Sequence, residues 1–522
     1  MTYSDGLNQL ARKQTILVKL ALDGGTYWLC DGEPPTDQHY YTCINSIDWV
    51  PTRAATNGGL GYFGEIVLKC SDFPFGSAGT YFGKLLADNT YYLNRIVDVY
   101  IGYFERGDTF NLSNFQKRTY FLKRIDGPNQ SGGVSFYASD VVSRLKEAEV
   151  PAATDGNLNA SITDSATGTI NITDNTGFSA TGGFAIIDDE IVSYTGTSGA
   201  DSITGVARAK GGTDAEAHDA DAPVRDIYNN NANVVDVIRD LIEDFSDIDH
   251  ATYLPDADWN TQKNDFLSSE TVDLWVVEPT TIDKVIDKLA ADCFVNVWWD
   301  DANQEIKLQA LGPSLTPTVT WTDDNNILDS KITVKRDQKK VLTTVLYFFG
   351  KLNQAGGTGA DNFESVYQNT RTSIETALGE ERVKKIYSEV VPASGTSTAS
   401  KVTGRLIDQN EIPIELTCLV DAKDSTVDIG DAITIETDLI QDTNGARLPT
   451  IMRVIEKAQR MNDRYFYKLV KTGQETGDRY GEIGPNSLGD YTAESAANTA
   501  KYAFISNNTP EMSNADDPYL IL

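Results

Sequence analysis

PTTIDKVIDKLAADCFVNVWWDDANQEIKLQAL, from Pro279 to Leu311, changes its periodicity halfway along, and that change decides how the chain is read. Ile282, Val285, Ile286, Leu289 and Ala290 recur at helical spacing, so they share one face. Thr280 or Thr281 is placed to cap this helix, and Asp283 lies in its first turn, where a carboxylate suits the helix dipole. Phe294 to Trp299 and Ile306 to Leu311 then read as two strands joined by a polar turn through Asp300, Asp301, Ala302, Asn303 and Gln304. One amphipathic helix packed on one hairpin is a small docking unit, and it holds no catalytic group. Nearly everything on either side of it reads as β-sheet.

Upstream, Asn233 is placed to cap a helix running through Phe245, with Val234, Val235, Ile238, Leu241, Ile242 and Phe245 on its apolar face. Residues 247–267 are polar and are expected to be irregular, leading into a strand over 272–277. Further upstream, residues 169–225 form a compact β block. Ala185, Ile186 and Ile187 face Ile191, Val192, Ser193 and Tyr194 across a turn at Asp188, Asp189 and Glu190, and Gly211, Gly212 and Thr213 make a second turn. Residues 151–168 have the Ala/Thr/Asp/Asn/Gly/Ser composition of a linker. Residues 14–141 carry six strand candidates broken by NGGLG, FPFGSAG and DGPNQSGG, as in a barrel or sandwich, and DVVSRLKE closes them as a short helix.

Downstream, strands resume near Ile332 and continue to about Val470, interrupted by the glycine-rich QAGGTGADN and a short helical candidate over 373–381. The tail beyond Thr472 reads as an extended arm with one helical candidate over 493–500. The expected fold class is therefore mainly β with an α+β portion. Its divisions are 1–150, a first β-barrel domain; 151–227, an inserted small β module with its linker; 228–330, the helix-and-hairpin domain; 331–475, a second β-barrel domain; and 476–522, a C-terminal arm.

At 522 residues the chain has room for roughly three or four domains. Forty-four Lys and Arg stand against 76 Asp and Glu, a formal net charge of −32. That balance disfavours sequence-independent binding to nucleic acid or to an anionic membrane surface. It suits either solubility at high local concentration or a surface past which a polyanion moves without sticking. The start, MTYSDGLNQLARKQTILVKLAL, has no signal-peptide pattern, and no run approaches the ~20 apolar residues of a membrane helix. A soluble protein, not exported by a standard route, is expected.

No catalytic, cofactor-binding or metal-binding residue is expected. Cys30, Cys43, Cys70, Cys293 and Cys418 are scattered without a CxxC pair, which argues for buried free thiols. His39, His218 and His250 lie far apart without metal-ligand spacing and are expected on loops or in solvent. Asp188/Asp189/Glu190, Asp300/Asp301 and Asp323/Asp324 sit in expected turns, where aspartate is favoured for local hydrogen bonding. GxSxG, a phosphate loop and GxGxxG are not found, so QAGGTGADN reads as a flexible surface loop. Trp298 and Trp299 must face opposite ways, one to the core and one to an interface.

Several stretches together resemble the baseplate hub proteins of long-tailed, non-contractile bacteriophages, including the lambda-type tail-tip L protein and gene-transfer-agent hubs. They are WVPTRAATNGGLGYFGEIVLKCSDFP, GKLLADNTYYLNRIVDVYIGYF, RTYFLKRIDGP and SFYASDVVSRLK in the first β unit. IDDEIVSYTG and ITGVARAKGGTDAEAH follow in the inserted block, then the helix–hairpin stretch, then VDIGDAITIETDLIQDTNGARLPTIMRVIE in the second β unit. The likeness spans about residues 10–475. It implies a non-enzymatic structural protein of the virion tail tip, assembled in the bacterial host cytoplasm. It further implies a homotrimeric ring that adapts a six-fold tail tube to three-fold parts and lets DNA pass. The implied partners are the distal tail protein, the C-terminus of the tape measure protein and tip or central-fibre proteins, with no specific nucleic-acid binding, no membrane insertion and no cofactor. A receptor- or carbohydrate-binding tail-tip protein is the alternative. One departure stands out: those hubs carry a C-terminal cysteine cluster for an iron–sulfur centre, whereas the last cysteine here is Cys418.

Overall fold

In the computed structural model, which describes residues 5–6, 14–32, 40–49, 52–61, 64–76, 79–103, 110–312, 316–328, 332–460, 464–471, 504–505 and 519–520, the alternating runs near the N-terminus close into a barrel. The strands follow the order Tyr41–Thr42, Gly25–Cys30, Gln14–Leu22, Ile96–Tyr103, Gln116–Asp126, Gly133–Ser139, Glu65–Ser71 and Ile44–Asp48. The first and last of these are halves of one bent segment. Cys43 sits between them, donating its N–H to Cys30 O (3.1 Å) and accepting from Ser71 N (2.8 Å). Joining both ends of the sheet through one segment removes its free edges. Leu68, Val99, Leu122 and Phe136 fill the interior. A helix not foreseen in the sequence, Tyr81–Asp88, is capped by Thr80 and adds Tyr81, Phe82 and Leu85 to that core.

The second barrel uses the same device. Its order is Val319–Thr322, Ala432–Glu436, Thr450–Arg460, Arg464–Lys471, Ile414–Asp421 and Thr333–Arg336. Both outer strands come from one stretch of chain, which also bridges Ile327 to Val420 between them.

Between the barrels lies an α+β body. Asn233 Oδ1 accepts from Val235 N (3.0 Å) and starts the helix Val234–Phe245, whose Val234, Val235, Ile238, Leu241 and Ile242 are fully buried. The helix Ile282–Asp292 and the antiparallel hairpin Val295–Asp300/Glu305–Ala310 form as their periodicities predict. The same core takes in residues expected in the second barrel: strands Thr344–Lys351, Phe363–Thr370 and Val383–Tyr387 and the helix Thr396–Glu411, through Val345, Tyr347, Phe349, Val402 and Leu406. Alternation marks these segments as half-buried strands but does not say which sheet they join. Residues 247–267, expected to be irregular, contain the helices His250–Tyr253 and Asp256–Phe266. The longer one has a single buried residue, Trp259, whose Nε1 donates to Ile306 O (2.8 Å), so no apolar period announces it.

The inserted module is a β-sheet built from Gly168–Asn171, Gly183–Ile187, Glu190–Tyr194, Ser202–Lys210 and Pro223–Asn233. The stretch read as a linker belongs partly to it: Gly156 and Asn157 pair with Val224 and Pro223, and Leu158 is fully buried in the module core. The strand Pro223–Asn233 runs on into the body, where Tyr228 to Asn233 pair with Thr271 to Val276. Module and body are thus joined by a shared strand. The five cysteines are buried free thiols.

Residues 474–522 form a separate unit, in which Phe504–Ile505 and Tyr519–Leu520 pair antiparallel. The helix expected over 493–500, like His39, lies outside the described residues.

Candidate functional site

The hairpin is the place where the three large parts meet. Trp298 and Trp299 do face opposite ways, but neither is left for an interface. Trp298 (6% exposed) enters the core of the second barrel, and Trp299 (3% exposed) enters the core of the body, edge-on to Tyr253 at 5.8 Å. A strand covered on both sides buries both alternating faces.

One side of the hairpin is covered by a strap from the first β unit. NGGLG, expected as a simple turn, belongs to a segment that crosses two bodies. Thr52 and Arg53 pair with Lys457 and Glu456 of the second barrel. Gly59 and Leu60 then pair in parallel with Asn296 and Val297 of the hairpin. Leu60 N donates to Asp287 Oδ1 (2.9 Å) and Gly61 N to Val297 O (2.6 Å). The glycines are required by close approach. Gly58 has φ +86°, and a Cβ there would stand 2.9 Å from Ala290 O; a Cβ on Gly61 would stand 2.5 Å from Arg53 O.

The hairpin turn plugs onto the first barrel. Asp300 behaves as a turn aspartate, accepting from Ala302 N and Asn303 N. Asp301 reaches further: Arg118 Nη1 lies 3.0 Å from its Oδ2, and Tyr120 donates its hydroxyl to it at 2.9 Å. Thr119 N donates to Gln304 Oε1 at 2.5 Å. Burial, with the Asp301 charge beside it, pushes the Tyr120 hydroxyl well up. Nearby, burial pushes the Asp140 carboxyl up to about 7, against the opposing N–H of Ser143. On the far side of the body, burial raises Asp292 to about 6 although Lys288 lies 3.1 Å away.

A cavity of about 160 Å³ lies where hairpin, strap and both barrels converge. Trp49, Arg118, Trp298, Trp299, Asp301, Asp428, Lys457 and Gln459 are among its walls. Arg118 also lies over the Trp49 ring, 4.9 Å from its centre, and Lys457 pairs with Asp428 at 2.5 Å. Sequence reading missed Arg118, Lys457 and Gln459, because strands far apart in the chain bring them together. Arg118 gave no signal of its own in the sequence, since its strand also carries Lys117, Lys123, Arg124 and Asp126.

The inserted module holds the other dense polar cluster. His218, expected on a loop or in solvent, lies on a loop but is 5% exposed, with Nδ1 2.8 Å from Asp188 Oδ2 and Nε2 3.0 Å from Glu190 Oε2. Glu190 is not a turn residue but a buried strand residue held by both arms of Arg208, at 2.8 and 2.5 Å. Burial alone would raise its pKa. The bonds from Arg208, from the N–H groups of Glu216 and Ala209 and from His218 together hold it down at about 2. Arg208 also donates to Thr163 O and Glu216 O, so the cluster ties two loops to the hairpin. The glycine-rich QAGGTGADN, expected to be a flexible surface loop, is exposed over residues 357–361, and at its start Asn353 Oδ1 accepts from the N–H groups of Ala355 and Gly356. Gln354 N donates to Gly211 O (2.8 Å), docking this loop on the module's own glycine turn.

Among the described residues no group of three or more His, Cys, Asp or Glu is placed to hold a metal ion. No helix among them is long and apolar enough to cross a membrane.

No family model matches the chain, and no curated protein matches it in sequence. Solved structures resemble it in structure at low identity. A 43 kDa tail protein of prophage MuSo2 from Shewanella oneidensis is 12% identical over 88% of this chain and 98% of its own, with a TM-score of 0.43. A tail protein from Neisseria meningitidis MC58 is 9% identical over 88% and 97%, with a TM-score of 0.42. A chain from the virion of a native gene transfer agent particle is 8% identical over 48% and 51%, with a TM-score of 0.32.

Proposed function

We propose that the chain is a structural, non-enzymatic subunit of a phage tail: a baseplate hub at the tail tip that assembles as a homotrimeric ring. The observation that carries this reading is the double clamp on the hairpin. The strap pairs with both the second barrel and the hairpin, and the hairpin turn is held by Arg118 and Tyr120 of the first barrel. Two barrels held at a fixed relation are what a subunit needs if three copies are to present six similar faces to a six-fold tube. The resemblance in sequence adds the distal tail protein, the end of the tape measure protein and tip or central-fibre proteins as partners. The net charge of −32 suits a bore past which DNA slides without being retained.

The test is the mass of the purified chain in solution by light scattering, alone and with the neighbouring tail proteins. A trimer, or a monomer that becomes a trimer only with those partners, is the expected result. A chain that stays monomeric with every partner present overturns the ring.

A further inference from the structure

We propose that the strand Phe363–Thr370 is a strand-addition site: its open edge takes an extended segment of another protein, which pairs with it as a further strand. The sheet concerned has three strands, with Thr344–Lys351 between Phe363–Thr370 and Val383–Tyr387.

Alternation along the central strand fixes which main-chain groups are free. Phe348 O accepts from Ser388 N (2.8 Å) and Gly350 N donates to Val391 O (2.9 Å), so the even-numbered residues of that strand turn their N–H and C=O groups towards Val383–Tyr387. Its odd-numbered residues turn the other way, where Tyr347 lies opposite Tyr367 and Val345 opposite Asn369. Just beyond them Arg371 N donates to Thr343 O (2.8 Å), in the same phase. Tyr367 and Asn369 are therefore engaged by the central strand. Val366, Gln368 and Thr370 point their N–H and C=O groups outward, and among the described residues no group answers them. All three residues are exposed.

Two comparable edges of the body are covered. On the hairpin's outer strand, Trp259 Nε1 donates to Ile306 O (2.8 Å) and Gln262 Oε1 accepts from Ala310 N (3.0 Å), both from one helix. On the opposite edge of the three-stranded sheet, Lys288 Nζ donates to Tyr387 O (2.8 Å). Phe363–Thr370 has no such cover. Nor does FESVYQNT carry a proline or a lysine, the residues that commonly keep an edge from pairing.

The chemistry of the edge describes its partner. Outward N–H and C=O groups recur every second residue, about 7 Å apart, which matches extended backbone and not a helix, whose own groups are paired internally. Val366 is 53% exposed and lies opposite Phe348, which stacks on Tyr387 at 4.7 Å. An incoming strand gains by placing a β-branched or aromatic residue beside Val366. Asp361 and Glu364, both exposed, favour a basic residue at that end. A second copy presenting the same edge has no basic residue over 361–370, so the occupant is a different protein.

This inference does not rest on the ring-hub reading: strand addition is measured on the chain whatever its oligomeric state. The probe is a short synthetic peptide of alternating threonine and valine with a lysine at each end, titrated into the full chain. Binding is followed by fluorescence anisotropy of a dye on the peptide and by amide hydrogen exchange of the chain. The control is the same peptide N-methylated on alternate residues, which keeps the side chains and removes the N–H groups that would donate to the edge. Saturable binding of the first peptide is expected, with slowed exchange at the Val366 and Gln368 N–H groups, and binding of the control at least about tenfold weaker. Gln368→Pro deletes an N–H that makes no bond within the sheet and sets a ring in the partner's path, and Val366→Lys adds a charge to the edge. Each should weaken binding about tenfold while the Tyr367 N–H stays slow to exchange, which shows the sheet intact. Three results overturn the proposal: no saturation; equal binding of the N-methylated control; or binding indifferent to both substitutions. Self-association that Gln368→Pro abolishes, without peptide binding, also overturns it and assigns the edge to a second copy of the chain.

Discussion

The two barrels close by the same device and fill themselves by different ones. In the first, a single bent segment around Cys43 joins both ends of the sheet, and the barrel's own helix supplies Tyr81, Phe82 and Leu85 to the core. In the second, the outer strands Val319–Thr322 and Thr333–Arg336 are near neighbours in the chain, but the core is completed from outside: Ala54 comes from the strap and Trp298 from the hairpin. The first barrel carries its own packing. The second is finished only when the hairpin and strap are in place, because an interior short of an indole has no other atoms with which to reach packing density. Sharing a core is a stronger tie between the two parts than touching surfaces.

The largest expected effect tests that dependence directly. Trp298→Ala should cost about 3–5 kcal/mol, the usual range for emptying a buried aromatic site. The loss should fall on the second barrel alone. Hydrogen exchange is expected to collapse in the strand Thr450–Arg460 while Gln116–Asp126 keeps its protection. Equal loss in both barrels would mean that they unfold as one unit and that the difference drawn here is not energetic.

The next effect is set by pH. Asp140, beside the contact of the first barrel with the hairpin turn, has a folded pKa of about 7, above its unfolded value. The folded state therefore binds the extra proton, so the stability linked to this group is fully present below the unfolded pKa and is lost as pH rises through 7. One proton of difference gives a slope of about 1.4 kcal/mol per pH unit at its steepest. Asp140→Asn retains a capping group for Ser143 N and should flatten that part of the curve, measured by urea unfolding from pH 4 to 8. Glu190 in the inserted module has the opposite sign: with a folded pKa of about 2, its contribution is present above the unfolded value and is lost as pH falls towards 2.

Gly61→Ala forces a methyl group against Arg53 O and the Trp298 side chain, and should cost about 1–3 kcal/mol as overpacking. The strap is the target, so the thermal transition of the second barrel should fall first. Smallest is Tyr120→Phe, which removes one hydroxyl from Asp301 while Arg118 stays. A loss of about 1.5 kcal/mol is expected by urea unfolding, confined to the contact of the first barrel with the turn.

The helix over Ile282–Asp292 and the hairpin after it could be read from residue order, because both express a local period that survives in any context. So could the cap at Asn233 and the first barrel's strands other than Gly25–Cys30. The helix over Asp256–Phe266 could not, since one tryptophan makes no period, nor could the helix over Thr396–Glu411, whose Gly404 and three threonines argue against helix. The strap was hidden for another reason. NGGLG is good turn chemistry, and only the approach of Ala290 and Trp298 shows that its glycines also make room for another segment. Glu190 read as a turn residue and His218 as a loop or solvent-facing one, and only the fold brings Arg208 onto Glu190 and Glu190 onto His218.

The sequence by itself determined the period of each segment, and with it a chain that is mainly β with a helix and hairpin at its centre. Tertiary structure alone decided which strands share a sheet, that both faces of the hairpin are buried, and that Trp299 and Gln459 line one cavity. Periodicity is written between neighbours in the chain. Partnership across 160 residues, the separation of Trp299 and Gln459, is set by which buried surfaces remain to be covered once each local element has formed.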